Sequence, residues 1–262
     1  MSQQQPTYGV LGVGALATAI VTGLCEGVAD PPGIVLSPRN AEASAALAAK
    51  YPSVSVAADN QAVADAADLM FVTLRRAHAD VLSDLTWRPE HIVVSATAGL
   101  PLGQLTGLVA PAGQVARAVP MPAVATRSSR TPVHPPLPAV LEVFEGLGGT
   151  MPIEDGDEFE AIFTAMGTVA PFFEYLRVLS DFLVGHGLSS VDANQIVAGV
   201  FTGLLDQLAA HESPDFGELV KEHAPPGGGN EQLTNVMRED GVFEGMARAV
   251  EEVHRRLTGA GS

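Results

Sequence analysis

The chain has 262 residues, of which 47% are hydrophobic and 5% aromatic, and its formal net charge at pH 7 is −16. This length suffices for one large or two modest domains with hydrophobic cores, and the acidic surface disfavours nucleic acid, whose phosphates it repels. The single cysteine, Cys25, rules out an intrachain disulfide, and the Cys/His spacing of a zinc site is absent.

The N-terminal residues 1–6 are polar and lack the pattern of a signal peptide. The apolar runs are interrupted by Asp, Arg or Gly well short of a membrane span. We therefore expect a cytoplasmic protein without a membrane partner.

The first half of the chain alternates short apolar runs with helical stretches. Predicted strands cover residues 8–11, 34–36, 54–56, 69–74, 92–95 and 115–119, and predicted helices cover 15–26, 41–51 and 61–66. Apolar strands between helices are typical of a parallel sheet that is covered on both faces. The pattern predicts an α/β fold with an N-terminal doubly wound parallel sheet of the Rossmann type.

The second half changes character. Prolines concentrate in residues 120–138, which indicates loop or edge structure, and residues 148–153 fit a last strand. Predicted helices then cover 157–165, 169–185, 189–210, 216–222, 229–239 and 242–257, and Ser189 with Asp192 fits a capped helix start. We predict a dinucleotide-binding domain of residues 1–153 and an all-helical domain of residues 154–262.

A glycine motif stands between the first predicted strand and its helix. Gly12-Val13-Gly14-Ala15-Leu16-Ala17 has the pattern Gly-x-Gly-x-x-Ala. The first glycine permits a tight turn, the second lets a pyrophosphate approach the backbone, and the alanine keeps the helix close to the strand. Amides at the helix start then bind phosphate. The alternative is a tight turn that binds nothing.

The end of the second strand selects the nucleotide. NAD sites usually place an acid there, whereas this chain has Ser37-Pro38-Arg39-Asn40, in which Ser37, Arg39 and Asn40 can receive the 2′-phosphate of NADP. The sequence therefore favours NADP over NAD, unless Arg39 is only a solvated charge. Arg75 and Arg76 follow the fourth strand, and either contact phosphate or an anionic substrate or are solvated loop residues.

The chain resembles the pyrroline-5-carboxylate reductase family from Gly12 to about Arg256. The resemblance lies in the glycine motif and in five further blocks: Asp59-Asn60, Val94-Ser95-Ala96-Thr97-Ala98-Gly99, Arg117-Ala118-Val119-Pro120, Pro226-Gly227-Gly228 and Ala249-Val250-Glu251. It implies reduction of a cyclic C=N bond by NADPH, giving proline from pyrroline-5-carboxylate or acting on a related imino acid. It also implies that the helical domain forms a homodimer or a higher homo-oligomer.

The family resemblance and the strand ends together give the predicted site. The predicted cofactor-binding residues are Gly12, Gly14, Ala15, Leu16, Ala17, Ser37, Arg39, Asn60, Thr73, Leu74, Arg75, Ala96, Ala98 and Pro120. By resemblance, the substrate carboxylate is expected at the helix start formed by Gly228, Gly229 and Asn230. No metal is expected, because the acidic run 154–158 lacks the spacing of a calcium loop.

The substrate half departs from the family pattern. Gly229 and Asn230 replace two threonines, and Val119-Pro120-Met121-Pro122-Ala123 lacks the family's Asn and Thr. These changes leave two alternatives open: a non-catalytic NADP(H)-binding homologue whose substrate site has decayed, and a reductase of a different carbonyl compound. No catalytic acid is assigned, since His186, His211, His223 and Glu174 fit surface or helix-end positions at least as well.

Overall fold

A computed structural model describes residues 6–209, 211 and 213–259. These residues fall into two compact units, one up to Ile162 and one from Phe163 onward. The boundary predicted from the sequence, between residues 153 and 154, lies before this division and stays a prediction.

The first unit contains a single eight-stranded sheet. Its strands are β1 (Tyr8–Leu11), β2 (Ile34–Leu36), β3 (Val54–Val56), β4 (Leu69–Val72), β5 (Ile92–Ser95), β6 (Gln114–Ala118), β7 (Thr131–His134) and β8 (Thr150–Pro152). The strand order is β3-β2-β1-β4-β5-β6-β7-β8. Chain crossover between β1 and β4 creates the switch point at which ligands bind in such sheets. The predicted Rossmann-type sheet is confirmed.

The far side of the sheet differs from the prediction. The sheet is parallel from β3 to β6, but β7 runs antiparallel to β6, with Arg117 opposite His134, and β8 runs parallel to β7. Residues 120–138 are therefore more than loop or edge, because they contain β7 between two neighbours. Proline is tolerated there because it occupies one position of a short strand, Pro132, whose carbonyl still accepts the amide of Val119 at 3.0 Å.

Helices cover both faces of the sheet. The α-helices of the first unit are α1 (Ala15–Cys25), α2 (Ala41–Lys50), α3 (Asn60–Ala66), α4 (Leu102–Leu108) and α5 (Pro138–Glu145), with 3-10 helices at Arg76–Asp84 and Pro122–Thr126. Sequence periodicity missed α4, α5 and both 3-10 helices, because segments this short show barely two turns of apolar spacing.

Two hydrophobic clusters form the core, one on each face. Val10 belongs to one cluster and its neighbour Leu11 to the other, and the same split separates Phe71 from Met70. Successive side chains of a strand point to opposite faces, so strands that are apolar throughout require cover on both. Cys25 is buried in the first cluster, and burial raises the pKa of its thiol, which disfavours the reactive thiolate.

The second unit is helical. α6 (Gly156–Met166) contains the division between the units, and α7 (Val169–Gly185), α8 (Ser190–Ala209), α9 (Phe216–His223), α10 (Gly229–Glu239) and α11 (Val242–Thr258) follow. The predicted cap of α8 is confirmed, because the Asp192 amide donates to Ser189 Oγ at 3.1 Å. The helix predicted over residues 189–210 corresponds to α8, and residue 210 lies outside the described residues.

Large apolar side chains remain exposed on the second unit. Phe173 and Phe182 of α7 and Val191 of α8 each keep 62% of their surface accessible. The stretch Gly156–Gly185 is long and apolar enough to cross a membrane. Its most apolar 18-residue segment has a mean hydropathy of 1.2, and 6% of that segment is buried. The prediction that all apolar runs stop short of a membrane span therefore does not hold for this stretch, although one such stretch is weak evidence for a membrane protein.

Candidate functional site

The turn between β1 and α1 requires glycine at its first position. Gly12 has a φ of 95°, and a Cβ atom placed there would lie 2.9 Å from the carbonyl oxygen of Thr73. Both the dihedral angle and the contact exclude a side chain. The chain therefore turns sharply at the carboxyl edge of the sheet, beside the end of β4.

Three side chains hold this turn from neighbouring strand ends. The Gly12 amide donates to Ser37 Oγ at 3.1 Å, and Thr73 Oγ1 donates to the Gly12 carbonyl at 2.6 Å. Asn40 Nδ2 donates to the Val13 carbonyl at 2.7 Å. The turn is thus fixed before any ligand arrives, which lowers the entropy lost on binding.

Ser37 and Asn40, which were predicted to contact the 2′-phosphate, instead hold the turn between β1 and α1. Ser37 is 1% exposed, and its hydroxyl also lies under the turn rather than at the surface. The Asn40 amide is committed to Val13, while its oxygen accepts from the Ala43 amide and caps α2. Contact of either side chain with a 2′-phosphate stays a prediction.

The start of α1 is left open. Gly14 is the N-cap residue, no side chain of the described residues caps it, and the first turn contains no acid. A Cβ atom at Gly14 would meet nothing within 4 Å, whereas Ala17, one turn on, is fully buried. Free amides and the helix dipole favour an anion at this end. These residues therefore fit the diphosphate of a dinucleotide.

A basic group lies along the same edge. Arg39, after β2, contacts His78 of the 3-10 helix, with Nη2 and Nε2 3.4 Å apart. Arg75 is exposed, while the Arg76 guanidinium donates to the Gly99 carbonyl. Sequence reasoning missed His78, since only the fold brings the residues after β2 and after β4 together.

The other predicted cofactor residues also follow strand ends or open helices. Asn60 is the first residue of α3, and Asp59 caps that helix by accepting from the Ala62 amide at 2.8 Å. The Ala96 amide donates to the Val72 carbonyl at 2.9 Å, which aligns the ends of β4 and β5. Of the remaining predicted residues, Leu74 packs against Gly12 and Ala98 lies at the surface. Pro120 is buried after the end of β6.

A buried ion pair lies at the end of β6. Arg117, 2% exposed, pairs with Glu160 of α6, and its guanidinium lies 4.9 Å from the ring centre of Phe159. The pair attaches the first turns of α6 to the sheet. The sequence contained Arg117 as part of a similarity block, but it gave no signal for its partner 43 residues away.

The predicted substrate residues lie at the start of α10, in the second unit. Gly228 is the N-cap residue, without a side-chain cap of its own, and Gly229 and Asn230 begin the helix. Asn230 Nδ2 donates to the His223 carbonyl at 2.9 Å. The Gly227 amide donates to Glu231 Oε2 at 2.7 Å, a contact that sequence reasoning did not anticipate.

The candidate acids lie within helices or just beyond their C-terminal ends. The Nδ1 atoms of His186, His211 and His223 each lie 2.8–3.0 Å from the carbonyl oxygen four residues earlier. A hydrogen bond to Arg177 lowers the pKa of the exposed Glu174 carboxyl, which disfavours proton donation by that group. Within the described ranges, no group of three or more His, Cys, Asp or Glu side chains is placed to hold a metal ion.

Comparison with known proteins covers both units. Residues 7–99 match the family model described as NADP oxidoreductase coenzyme F420-dependent, and residues 157–259 match the model described as pyrroline-5-carboxylate reductase dimerisation. The chain is 25% identical over 260 residues to pyrroline-5-carboxylate reductase of Escherichia coli strain K12, covering 93% of this chain and 96% of the relative.

Solved structures share the fold. A 1-pyrroline-5-carboxylate reductase from Streptococcus pyogenes superimposes with a TM-score of 0.80 and 20% identity, over 98% of this chain and 100% of the other. The Plasmodium falciparum pyrroline carboxylate reductase with NADP bound gives 0.79 and 16%, over 100% of each chain. The chain is thus similar along its length to a pyrroline-5-carboxylate reductase, carries a match to the dimerisation domain of such reductases, and shares their fold.

Proposed function

We propose that this protein is a cytoplasmic, NADP(H)-dependent reductase of a cyclic imine, with pyrroline-5-carboxylate or a related imino acid as substrate. The observation that carries the proposal is the preformed turn at Gly12 and the open start of α1. It occurs in a chain similar over 93% of its length to a pyrroline-5-carboxylate reductase.

In this proposal the first unit holds the dinucleotide. The amides of Ala15 and Leu16 bind the diphosphate next to Gly14, and the other predicted residues of the carboxyl edge surround the rest of the cofactor. When bound, NADPH supplies hydride to the imine carbon, so the chain itself needs only to bind, orient and shield the reactants. We assign no catalytic acid.

NADP is proposed over NAD because of the basic group at the end of β2. Arg39 and His78 are 3.4 Å apart, and the segment has no acid to repel a 2′-phosphate. Arg39→Ala should weaken NADPH binding roughly 10-fold, the loss expected for one charge-assisted hydrogen bond, and leave NADH binding unchanged. Titration calorimetry with both nucleotides measures this. Arg130→Ala, which removes an exposed arginine directly before β7, is the matched control.

The second unit is proposed to form a homodimer or a larger homo-oligomer. Exposed Phe173, Phe182 and Val191 would otherwise stand in water, and α7 also carries the exposed ion pair of Arg177 with Glu174, which a lipid environment would disfavour. Light scattering should give at least twice the monomer mass. Phe182→Asp should lower that mass, whereas Glu222→Gln, on an exposed face of α9, should not.

The proposed activity is tested by following NADPH absorbance with pyrroline-5-carboxylate and with a panel of cyclic imines. We expect oxidation of NADPH with at least one of them. Protein that binds NADPH but oxidises it with none would contradict the proposal and favour the non-catalytic alternative, for which the described residues offer no support of their own.

A further inference from the structure

A row of paired residues at the carboxyl edge of the sheet connects the glycine turn to Arg117. Leu11, which directly precedes Gly12, lies opposite Val72 of β4. Val72 lies opposite Ser95 of β5, and Ser95 lies opposite Arg117 of β6. Since neighbouring strands are about 4.8 Å apart, Arg117 stands about 14 Å from Leu11, three strands along the same edge.

The direction in which the cofactor extends follows from the strand order, given the proposed function. The 2′-phosphate is proposed at Arg39, after β2, and the diphosphate at the start of α1, after β1. The order β3-β2-β1-β4-β5-β6 then leaves the ends of β4, β5 and β6 for the nicotinamide. Pro120, a predicted cofactor residue, is buried just beyond the end of β6. Arg117 therefore lies at the nicotinamide end of the proposed site.

Much of the surroundings of Arg117 on its face of the sheet is apolar. Leu11 and Val72 of its row belong to the second hydrophobic cluster, and Val115, two residues earlier on β6, packs against that cluster. Arg117 is nevertheless only 2% exposed. Replacing a buried ion pair by apolar residues of similar volume often leaves stability unchanged or raises it. Stability alone therefore does not account for a guanidinium at this position.

Directional contacts distinguish Arg117 from an apolar side chain. Its guanidinium donates to Glu160 of α6 and lies 4.9 Å from the ring centre of the fully buried Phe159. His134 lies opposite Arg117 on β7, and its ring centre is 5.7 Å from that of Phe159. Its Nδ1 atom lies 3.0 Å from the Ile153 carbonyl oxygen. The ends of β6 and β7 thus hold the first turns of α6 in one position.

We propose that Arg117 and Glu160 are positioning residues for hydride transfer: their pair fixes the end of β6 and the start of α6 beside the nicotinamide, and aligns the cofactor without adding to its affinity. This inference rests on the proposed function and deepens it. In the step that it supports, the imine carbon gains hydride from NADPH, the C=N π electrons take a proton from solvent at nitrogen, and the products are the cyclic amine and NADP⁺. Misplacement of reacting groups by about 1 Å can cost roughly 100-fold in rate, so a pair that acts only on alignment has a measurable effect.

The test removes both charges together, because loss of one partner from a buried ion pair is strongly destabilising. Arg117→Met with Glu160→Leu should unfold at a temperature close to that of the wild type and bind NADPH with a Kd within about threefold by calorimetry. Its kcat with pyrroline-5-carboxylate should fall roughly 100-fold, while KM changes by less than about threefold. Glu26→Leu with Lys50→Met removes an exposed ion pair of the same unit and should keep the kcat of the wild type.

A single variant separates alignment from stability. Glu160→Gln retains an oxygen that accepts from the Arg117 guanidinium but removes the negative charge of the pair, so it should unfold at a lower temperature than the double variant. Its kcat should nevertheless stay well above that of the double variant, because the hydrogen bond is kept. A kcat that follows the order of the unfolding temperatures would overturn the inference and leave the pair a merely structural role. A folded double variant with the kcat of the wild type would overturn it as well.

The fluorescence of bound NADPH gives a readout that needs no turnover. A reduced nicotinamide that is held in one position emits more strongly than a mobile one, so emission per bound NADPH should be lower in the double variant than in the wild type. Equal emission from the two proteins at saturation would contradict alignment by the pair. Failure of the proposed function has a different signature, since the wild type would then oxidise NADPH with none of the imines, whatever its emission.

Discussion

Two helices of this protein begin after a glycine-rich turn, and their first turns are in opposite states. α1 starts at Gly14 with free amides, no capping side chain among the described residues and no acid. α10 starts at Gly228, and Glu231 from its own first turn binds the amide of Gly227. The comparison teaches that a glycine pattern supplies the backbone shape, whereas the side chains of the first turn set the charge that an external anion meets there.

The two starts also differ in how they are supported. Side chains from the ends of β2 and β4 hold the turn before α1 from beneath, at Gly12 and Val13. The turn before α10 is held by residues of that turn and helix and by the end of α9. The outer surface of the turn before α1 therefore stays available to a ligand, whereas the outer surface of the turn before α10 is in contact with side chains of the protein itself.

The largest expected effect comes from placing an acid at the open start of α1. Gly14→Asp places a capping acid where a Cβ atom meets nothing within 4 Å, so the fold should be retained. Its charge repels the diphosphate, and NADPH affinity should fall roughly 100-fold or more. Calorimetry measures the affinity and thermal unfolding the fold. Gly33→Asp, at an exposed glycine before β2, should bind NADPH normally; equal losses in both variants would refute the open-start account.

Asn40→Ala should remove both the cap of α2 and the clamp on Val13. We expect a loss of about 1–2 kcal/mol in the free energy of unfolding, together with weaker NADPH binding. Asp59→Ala removes a cap of the same type from α3 without touching the turn, and should lower stability by about 1 kcal/mol but leave binding nearly unchanged. Urea unfolding measures the stability of both variants and calorimetry measures their NADPH affinity. The difference between the two variants separates the effect of losing a helix cap from the effect of losing the hydrogen bond to Val13. Identical binding losses would contradict the proposed support.

Thr73→Val should have a smaller effect of the same kind. It removes the 2.6 Å hydrogen bond to the Gly12 carbonyl, at a cost of about 1 kcal/mol in stability, and weakens NADPH binding modestly. Thr106→Val, whose hydroxyl donates to the Leu102 carbonyl within α4, is the matched control and should change stability by less than about 0.5 kcal/mol. If Thr73→Val binds NADPH as tightly as the wild type, the turn does not depend on this bond.

The smallest expected effect is a pH dependence confined to the first unit. Burial lowers the pKa of the His91 imidazole, whose Nδ1 accepts from the Arg88 amide at 3.1 Å. The unfolded chain, with a histidine pKa of about 6.5, therefore binds the proton more readily, and stability should fall as pH drops below about 6.5.

Trp87 reports on this change. It is the only tryptophan, it lies in the first unit, and its ring is 5.6 Å from that of His91. Urea unfolding followed by its fluorescence should show a lower midpoint at about pH 5.5 than at about pH 7.5. His91→Phe should flatten the dependence and the exposed His78→Gln should not. An equal pH dependence in His91→Phe would assign the effect to other groups.

Prediction from the sequence worked best where one local pattern decides the structure. Apolar runs at β1, β4 and β5 and the long helices α7, α8 and α11 were recognised because burial on a sheet or a helix face imposes a period on the sequence. Short helices such as α4 and α5 gave too few turns for a period to show. β7 was missed because prolines mark loops unless neighbouring strands supply the pairing.

The sequence by itself determined the Rossmann-type half, the helical half and the glycine turn, because each depends on spacing within about 20 residues. Only the tertiary structure decided which side chains meet: Ser37 and Thr73 at Gly12, Arg39 at His78, and Arg117 at Glu160. Such contacts join strand ends and helices that are far apart in the chain, and a pattern along one segment contains no information on its neighbours in space. Glu231 shows the same limit at short range, since its spacing from Gly227 permits the contact but only the backbone path of the turn makes it.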